Sequence, residues 1–283
     1  MPQFASLQSV LMGPIRVTYL PDGGGVASPA ATFPPSGEAA WQAYADLLTP
    51  DGRLVTSIGA FLIEVEDRKI LVDAGIGPVH LDFPGFGVYQ GGRLLESLAQ
   101  AGVAPDQITD VVFTHLHVDH VGWVTVEEHG RRRLTFPNAR HLVSEVEWRF
   151  WYGGNNPAGP NPDTVQKPLA PVIQFVADGQ EIAPGLRAMA TPGHTPGHLS
   201  LVLDGGHQRL ILIADLMYSP VQISQPTWSA AFDADPAQAN ATRLAIFHEL
   251  TRPDTLTAAG HFADVVFGQL REGADGLRWT PLP

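Results

Sequence analysis

The segment Thr114-His115-Leu116-His117-Val118-Asp119-His120 places four side chains able to bind a metal within six residues. In extended chain, side chains alternate with period two, so His115 and His117 point the same way. Asp119 and His120 follow a turn and can face a second, neighbouring position. Neutral imidazole suits zinc, iron, nickel or copper, and a carboxylate can complete or bridge such a site. The chain has 11 His in 283 residues, so three within six positions is more than composition alone would supply. The plainer alternative is a surface loop with an accidental cluster. The apolar run Val111-Val112-Phe113 just before it argues against that, because a strand end on a rigid scaffold is where ligands are presented.

Three further pieces belong with it. In Thr191-Pro192-Gly193-His194-Thr195-Pro196-Gly197-His198, Pro and Gly on both sides fix the backbone and hold His194 or His198 rigidly at a strand edge. Asp215 ends the apolar run Leu210-Ile211-Leu212-Ile213-Ala214, and a carboxylate ending a buried strand needs a partner. Gly260-His261 directly follows the apolar run 256–259. Any one of these alone would more simply be a satisfied edge residue.

Most of these groups follow or end a strand-like run. Residues 57–75 read as two apolar strands joined by the charged turn Glu66-Asp67-Arg68. Residues 91–101 have helical spacing with Gly102 as a stop. Short strands are expected at 108–114 and 140–143. Ser144 can cap a helix through Trp151, with Glu147 at the capping-box position. Residues 164–175 read as helical, 185–190, 198–203 and 209–214 as strands, and 235–250 as a helix with Pro236 in its first turn. Strands at 255–259 and 264–267 close the pattern. Residues 1–53, rich in Pro and Gly, read as an N-terminal extension wrapping a core, with a short helix at 39–48; the whole chain, 1–283, reads as one domain. Two batches of strands, each followed by helices, suggest two stacked αβ halves, sheet against sheet.

The net charge of −12 would repel a polyanion, and the one basic run, Arg131-Arg132-Arg133, reads as a solvated hairpin tip, so no nucleic-acid partner is expected. With no Cys, disulfides, zinc ribbons, thiolate nucleophiles and iron–sulfur clusters are excluded. No stretch has the length to span a bilayer and the first residues do not read as a signal peptide, so the default expectation is a cytoplasmic protein without a membrane partner. A neutral, partly apolar small molecule suits the charge balance, and a homodimer is left open. His80, His129, His141, His207 and His248 have no partner pattern and read as surface or core residues.

The order HxHxDH, TPGHTPG, an apolar strand ending in Asp and a strand ending in Gly-His resembles the metallo-β-lactamase superfamily over roughly residues 54–262. That resemblance implies an α/β fold, an αββα four-layer sandwich with the site at one edge. It implies that His115, His117 and His194 hold one metal and Asp119, His120 and His261 the other, with Asp215 bridging. It gives Asp73, in Leu71-Val72-Asp73-Ala74-Gly75, the task of orienting ligands, against a plain turn Asp before Gly75. His198 is read as structural. The implied cofactor is two divalent metal ions, with zinc expected and iron, manganese or cobalt as the alternatives. Two such ions would share a hydroxide, since binding lowers the pKa of water from ~15.7 to about 7. Asp119 could also relay a proton to the leaving group.

Within that superfamily, β-lactamases of the Cys-ligand type need a thiolate where this chain has Asp215. Glyoxalase II carries an extra helical domain after the last ligand, and the nuclease and flavodiiron branches carry domains not expected here. What remains resembles the N-acyl-homoserine lactonases and the methyl-parathion-type organophosphate hydrolases. Tyr218, three residues after Asp215, matches the lactonases, where its hydroxyl can bond the substrate carbonyl; a plain core tyrosine is its other reading. The stretch Pro226-Thr227-Trp228 to Phe232-Asp233-Ala234-Asp235-Pro236 is closer to the organophosphate group. Phe83, Phe86, Tyr89 and Trp151 could wall an apolar pocket, or simply anchor loops. The expectation is a quorum-quenching type lactonase, with an aryl-ester or organophosphate hydrolase as the alternative. A mononuclear iron oxidoreductase like the persulfide dioxygenases and a non-catalytic metal scaffold are the readings of other classes.

Overall fold

The computed structural model describes residues 1–273 and 276–283. Two sheets carry the fold. The first runs, edge to edge, Ile173–Phe175, Arg140–Val143, Asp110–Val112, Arg68–Val72, Leu54–Val65, Ile15–Ala27, Gly87–Gln90 and His80–Phe83, with Gln8–Met12 also paired to Ile15–Ala27. The second runs Glu181–Ala183, Leu186–Ala190, Leu199–Asp204, Arg209–Leu212, Thr255–Ala258, Phe267–Gly273 and Gly276–Pro281.

Period-two alternation decides which residues face which layer. Phe61, Ile63, Ile70, Val72 and Val112 of the first sheet are buried with Leu201, Leu203, Leu210, Leu212 and Ala258 of the second, forming the core between the sheets. Their alternates Leu62, Leu71 and Val111 turn the other way, onto Leu94 and Leu98 of the helix Leu94–Gln100 and Trp148 of the helix Glu145–Trp151. Ile211 and Leu270 do the same on the far side, against Ile246 and Leu250 of the helix Pro236–Leu250. Three cores between four layers make the expected αββα sandwich.

The topology also explains why the candidate ligands share one edge. Asp110–Val112 is parallel to Arg68–Val72, so the turns after both strands, carrying His115 and Asp73, emerge together. Arg209–Leu212 is parallel to Thr255–Ala258 through the crossover helix, so Asp215 and His261 emerge together. The sheets are stitched at this edge: Leu199 N donates to Thr114 O at 2.9 Å, and Ser57 N to His261 O at 3.1 Å.

Several elements differ from the sequence reading. Within residues 1–53, Gln8–Met12 and Ile15–Ala27 are strands of the first sheet, the latter in register with Leu54–Val65. Pro21, the bulge beside it and the glycines that follow hide the alternation. The short helical turns between Pro29 and Leu47 lie outside the sheets, among them a 3-10 stretch Trp41–Leu47 where a helix was expected. The helix expected at 164–175 is a π-type turn Pro162–Gln166, a short Lys167–Leu169 turn and the edge strand Ile173–Phe175. Pro171 lacks the N–H a continuing helix needs, and Ile173 then joins the sheet. The closing strand begins at Phe267, not 264, because Asp264 takes a left-handed φ of 62°. Ser144 does cap its helix, accepting from Glu147 N at 3.1 Å, but the Glu147 side chain turns inward and makes no reciprocal bond. Among the described residues no helix is long and apolar enough to cross a membrane.

Candidate metal centre

Two groups of ligand-type side chains converge at the shared edge. His115, His117, His194 and Asp215 form one; Asp119, His120 and His261 form the other. In the first, His115 Nε2 lies 3.0 Å from His117 Nδ1, His117 Nδ1 lies 2.8 Å from His194 Nε2, and His115 Nε2 lies 3.2 Å from His194 Nε2. Ligands about 2.0–2.1 Å from one zinc stand roughly 3 Å from each other, so this triangle has the span of a common coordination sphere.

Asp215 lies between the groups. Its Oδ2 is 3.3 Å from His194 Nε2 and 3.7 Å from His115 Nε2. Its Oδ1 is 3.1 Å from both His120 Nε2 and His261 Nε2. Asp119 Oδ2 closes the second group at 3.7 Å from the same two nitrogens.

The outward nitrogens show what the inward ones are free to do. His261 Nδ1 is 2.8 Å from the Ser57 carbonyl, which can only accept, so the ring proton sits there and Nε2 keeps its lone pair. His120 Nδ1 meets Asp73 Oδ2 at 2.9 Å, and His194 Nδ1 meets Asp233 Oδ1 at 2.9 Å. His115 Nδ1 is 3.1 Å from Thr114 Oγ1, which itself bonds Asp73 at 2.9 Å. His120 Nε2 is buried without a hydrogen-bond partner. An orphaned buried acceptor aimed at two carboxylates costs free energy unless a cation joins them, so the residues present fit a metal.

The electrostatics differ between the two groups. Burial, reinforced by neighbouring imidazoles, holds His115 and His117 well below the usual histidine range, so both rings are neutral, the form able to bind a cation. For His120 and His261, burial pulls down but Asp215 and Asp119 outweigh it, and both are pushed up. Asp215 opposes its own burial through His120, His261, His115 and His194, and stays ionised.

Each expected site residue can be placed. Tyr218 is 6% exposed, its ring stacked on His261 at 4.8 Å and 3°, its hydroxyl 3.5 Å from His194 Nε2. Its hydroxyl therefore faces the site. Tyr89 and Phe86 stack at 6.2 Å, Phe86 meets Phe232 edge-on at 5.5 Å, and Phe232 reaches Tyr218 at 6.2 Å, so an aromatic run leads away from the metal groups. Phe83 meets Tyr89 edge-on at 6.2 Å and also lines a cleft of about 530 Å³ with Trp41, Leu48 and Arg53, which none of the seven candidate ligands lines. Trp151 is 7% exposed, packed edge-on against His117 with Nε1 bonded to Glu147, so it backs a ligand. His198 is held as a structural residue: Nδ1 bonds Thr191 and Nε2 accepts from Asp215 N at 3.2 Å.

The contact of Asp233 with His194 Nδ1 was not anticipated from the sequence. Ala234 N and Asp235 N donate to His194 O and Gly193 O at 2.9 Å each, which lays its segment along the His194 loop. Gly193 permits this: its φ is +133°, and a Cβ there would fall 2.2 Å from Ala239 N. The segment was noticed in the sequence, but nothing in its spacing ties residue 233 to residue 194.

Residues 55–261 match the model of the metallo-beta-lactamase superfamily. The chain belongs to the metallo-beta-lactamase superfamily. An N-acyl homoserine lactonase of Bacillus cereus is 26% identical over 212 residues, covering 70% of this chain and 78% of that one. Among solved structures, AidC, a dizinc quorum-quenching lactonase in complex with a product, superposes with a TM-score of 0.84 at 25% identity, covering 99% of this chain and 98% of that one. AbOPH, a hydrolase of the beta lactamase superfamily, gives 0.81 at 26% identity, covering 99% of both chains. As a metallo-beta-lactamase superfamily member with these relatives, the protein is a metal-dependent hydrolase.

Proposed function

We propose that the chain is a two-cation, zinc-dependent lactonase acting on neutral lactones that carry an apolar chain, of the N-acyl homoserine lactone type. The observation that carries the two-cation reading is Asp215, whose carboxylate lies within 3.1–3.7 Å of the inward nitrogens of both histidine groups. When bound, two divalent cations supply a hydroxide at neutral pH and polarise the carbonyl oxygen under attack. His115, His117 and His194 would hold one, Asp119, His120 and His261 the other, and Asp215 would face both. The all-nitrogen and carboxylate donor set suits zinc. A mononuclear iron oxidoreductase would leave one of these groups without purpose.

The residues around the cations supply the rest. Tyr218 presents a hydroxyl beside His194; burial first, then Asp215 and Asp119, push it well above the ordinary tyrosine range, so it remains a donor to a developing oxyanion. Asp119, with 21% of its side chain exposed, is the ligand able to pass a proton to the leaving alkoxide. The run Phe86–Phe232 offers an apolar track for an acyl chain. The same edge-on pair would also receive an aryl leaving group, which keeps an aryl-ester or phosphotriester hydrolase as the second reading.

The test is a turnover panel on zinc-loaded protein with N-hexanoyl-homoserine lactone, an aryl ester, a phosphotriester and a β-lactam. The lactone is expected to give the highest kcat/KM by at least about tenfold, roughly 1.4 kcal/mol of transition-state preference. A higher value for the phosphotriester or aryl ester would replace the lactone reading. A bound metal content of one iron per chain would replace the two-zinc reading.

A further inference from the structure

Glu147 is a wholly buried carboxylate with no place in the mechanism above. Its Oε1 accepts from Leu116 N at 3.0 Å and from Trp151 Nε1 at 2.7 Å; its Oε2 accepts from Gly197 N at 3.1 Å. Leu116 lies between His115 and His117, and Gly197 lies three residues after His194. One carboxylate thus ties together the two loops that carry the first histidine group. The helix bearing it is docked closely: Ser144 Oγ donates to Gly197 O at 2.7 Å, and a Cβ at 197 would fall 2.2 Å from Glu147 N. Trp151, held by the same carboxylate, packs its ring against His117 at 5.4 Å. No bond runs from Glu147 to Asp119, His120 or His261; His120 Nδ1 instead meets Asp73 and His261 Nδ1 the Ser57 carbonyl.

We propose that Glu147 is the positioning residue of one cation site only, setting the separation of the His115–His117 and His194 loops so that their three nitrogens converge. This rests on the two-cation reading. A group that orients ligands typically accounts for 10–100-fold in metal affinity. Removing this one should therefore split the two sites, weakening one and sparing the other.

The experiment is a competition titration of metal-free protein with Zn2+ against a chromophoric chelator, with metal content and thermal melting in parallel. Glu147→Gln is the main variant: it keeps the volume, but its amide can no longer accept from both sides, so at least one of the three N–H groups loses its acceptor. Glu147→Ala is the stronger variant, and Glu145→Ala, an exposed residue on the same helix, is the control. In Glu147→Gln one Zn2+ is expected to weaken 10–100-fold while the other stays within about threefold, and kcat to return at excess Zn2+ with KM unchanged. If Glu147→Ala does not fold, the Gln variant decides. Parallel weakening of both ions, no weakening, or loss of kcat that excess Zn2+ does not restore would each overturn the proposal while leaving two-cation binding intact. A wild-type chain that takes up fewer than two Zn2+ would overturn the parent reading, and this one with it.

Discussion

Replacing Asp73 by Asn tests whether a buried carboxylate sets a ligand's tautomer. Asp73 has a left-handed φ of 65°, a conformation Asn tolerates, so the exchange adds little backbone strain. Its Oδ1 accepts from Thr114 N at 2.8 Å, and its Oδ2 from His120 Nδ1 at 2.9 Å. In the variant, the amide oxygen keeps the Thr114 N–H and the NH₂ takes the place of Oδ2. Two donors would then face each other unless His120 moves its proton to Nε2, where Asp215 Oδ1 waits at 3.1 Å. A protonated Nε2 has no lone pair for a cation. Forcing the metal-competent tautomer forfeits a charge-assisted hydrogen bond, about 1.5–3 kcal/mol, or roughly 10–100-fold in affinity at the Asp119–His120–His261 position. The assay is Zn2+ competition with metal-free protein, paired with its melting temperature. The expected result is one weakened ion and a metal-free melting temperature within a few degrees of wild type, since both groups of the amide remain bonded. Wild-type affinity at both positions, or a metal-free protein that melts far lower, would refute the reasoning.

Asp233→Asn applies the same logic to His194 and should weaken the other ion by about 10–100-fold, again read by Zn2+ competition. Tyr218→Phe should leave zinc content unchanged and lower kcat on the lactone by about tenfold or more, measured at saturating substrate. His141 is buried with neither ring nitrogen partnered, and burial holds it down at about 4. The unfolded chain therefore binds the proton first. The penalty is absent above about pH 6.5, grows as pH falls and is complete near 4, reaching about 1–2 kcal/mol at pH 5. His141→Leu should keep its stability at pH 7 and lose less than wild type between pH 7 and 5 in denaturant melts. An identical pH dependence would remove the assignment.

The candidate ligands that converge were readable because each follows or ends a strand-like run, and such runs announce themselves by local periodicity. HxHxDH places four groups on one loop, so their proximity needs no knowledge of the fold. The helix Pro236–Leu250 was legible for a related reason, with Asp235 capping it and Pro236 opening it. The strand Ile15–Ala27 was not, because its Pro and Gly residues erase the pattern; it is a strand only because Leu54–Val65 offers it a ladder. The helix expected over 164–175 failed where Pro171 stops it and an open sheet edge recruits Ile173–Phe175.

The amino-acid sequence by itself determined the chemistry available: imidazoles and carboxylates at the ends of strand-like runs, and no thiol anywhere. Spacing alone left His194 and His198 both open in one turn, and the family resemblance favoured His194. The tertiary structure supplies the physical reason: His198 spends its nitrogens on Thr191 and on the Asp215 backbone while His194 Nε2 meets His115 and His117. Asp73, Glu147 and Asp233 likewise owe their tasks to partners 31 to 50 residues away. Hydrogen bonds across such separations depend on how sheets and helices dock, and no local spacing encodes them.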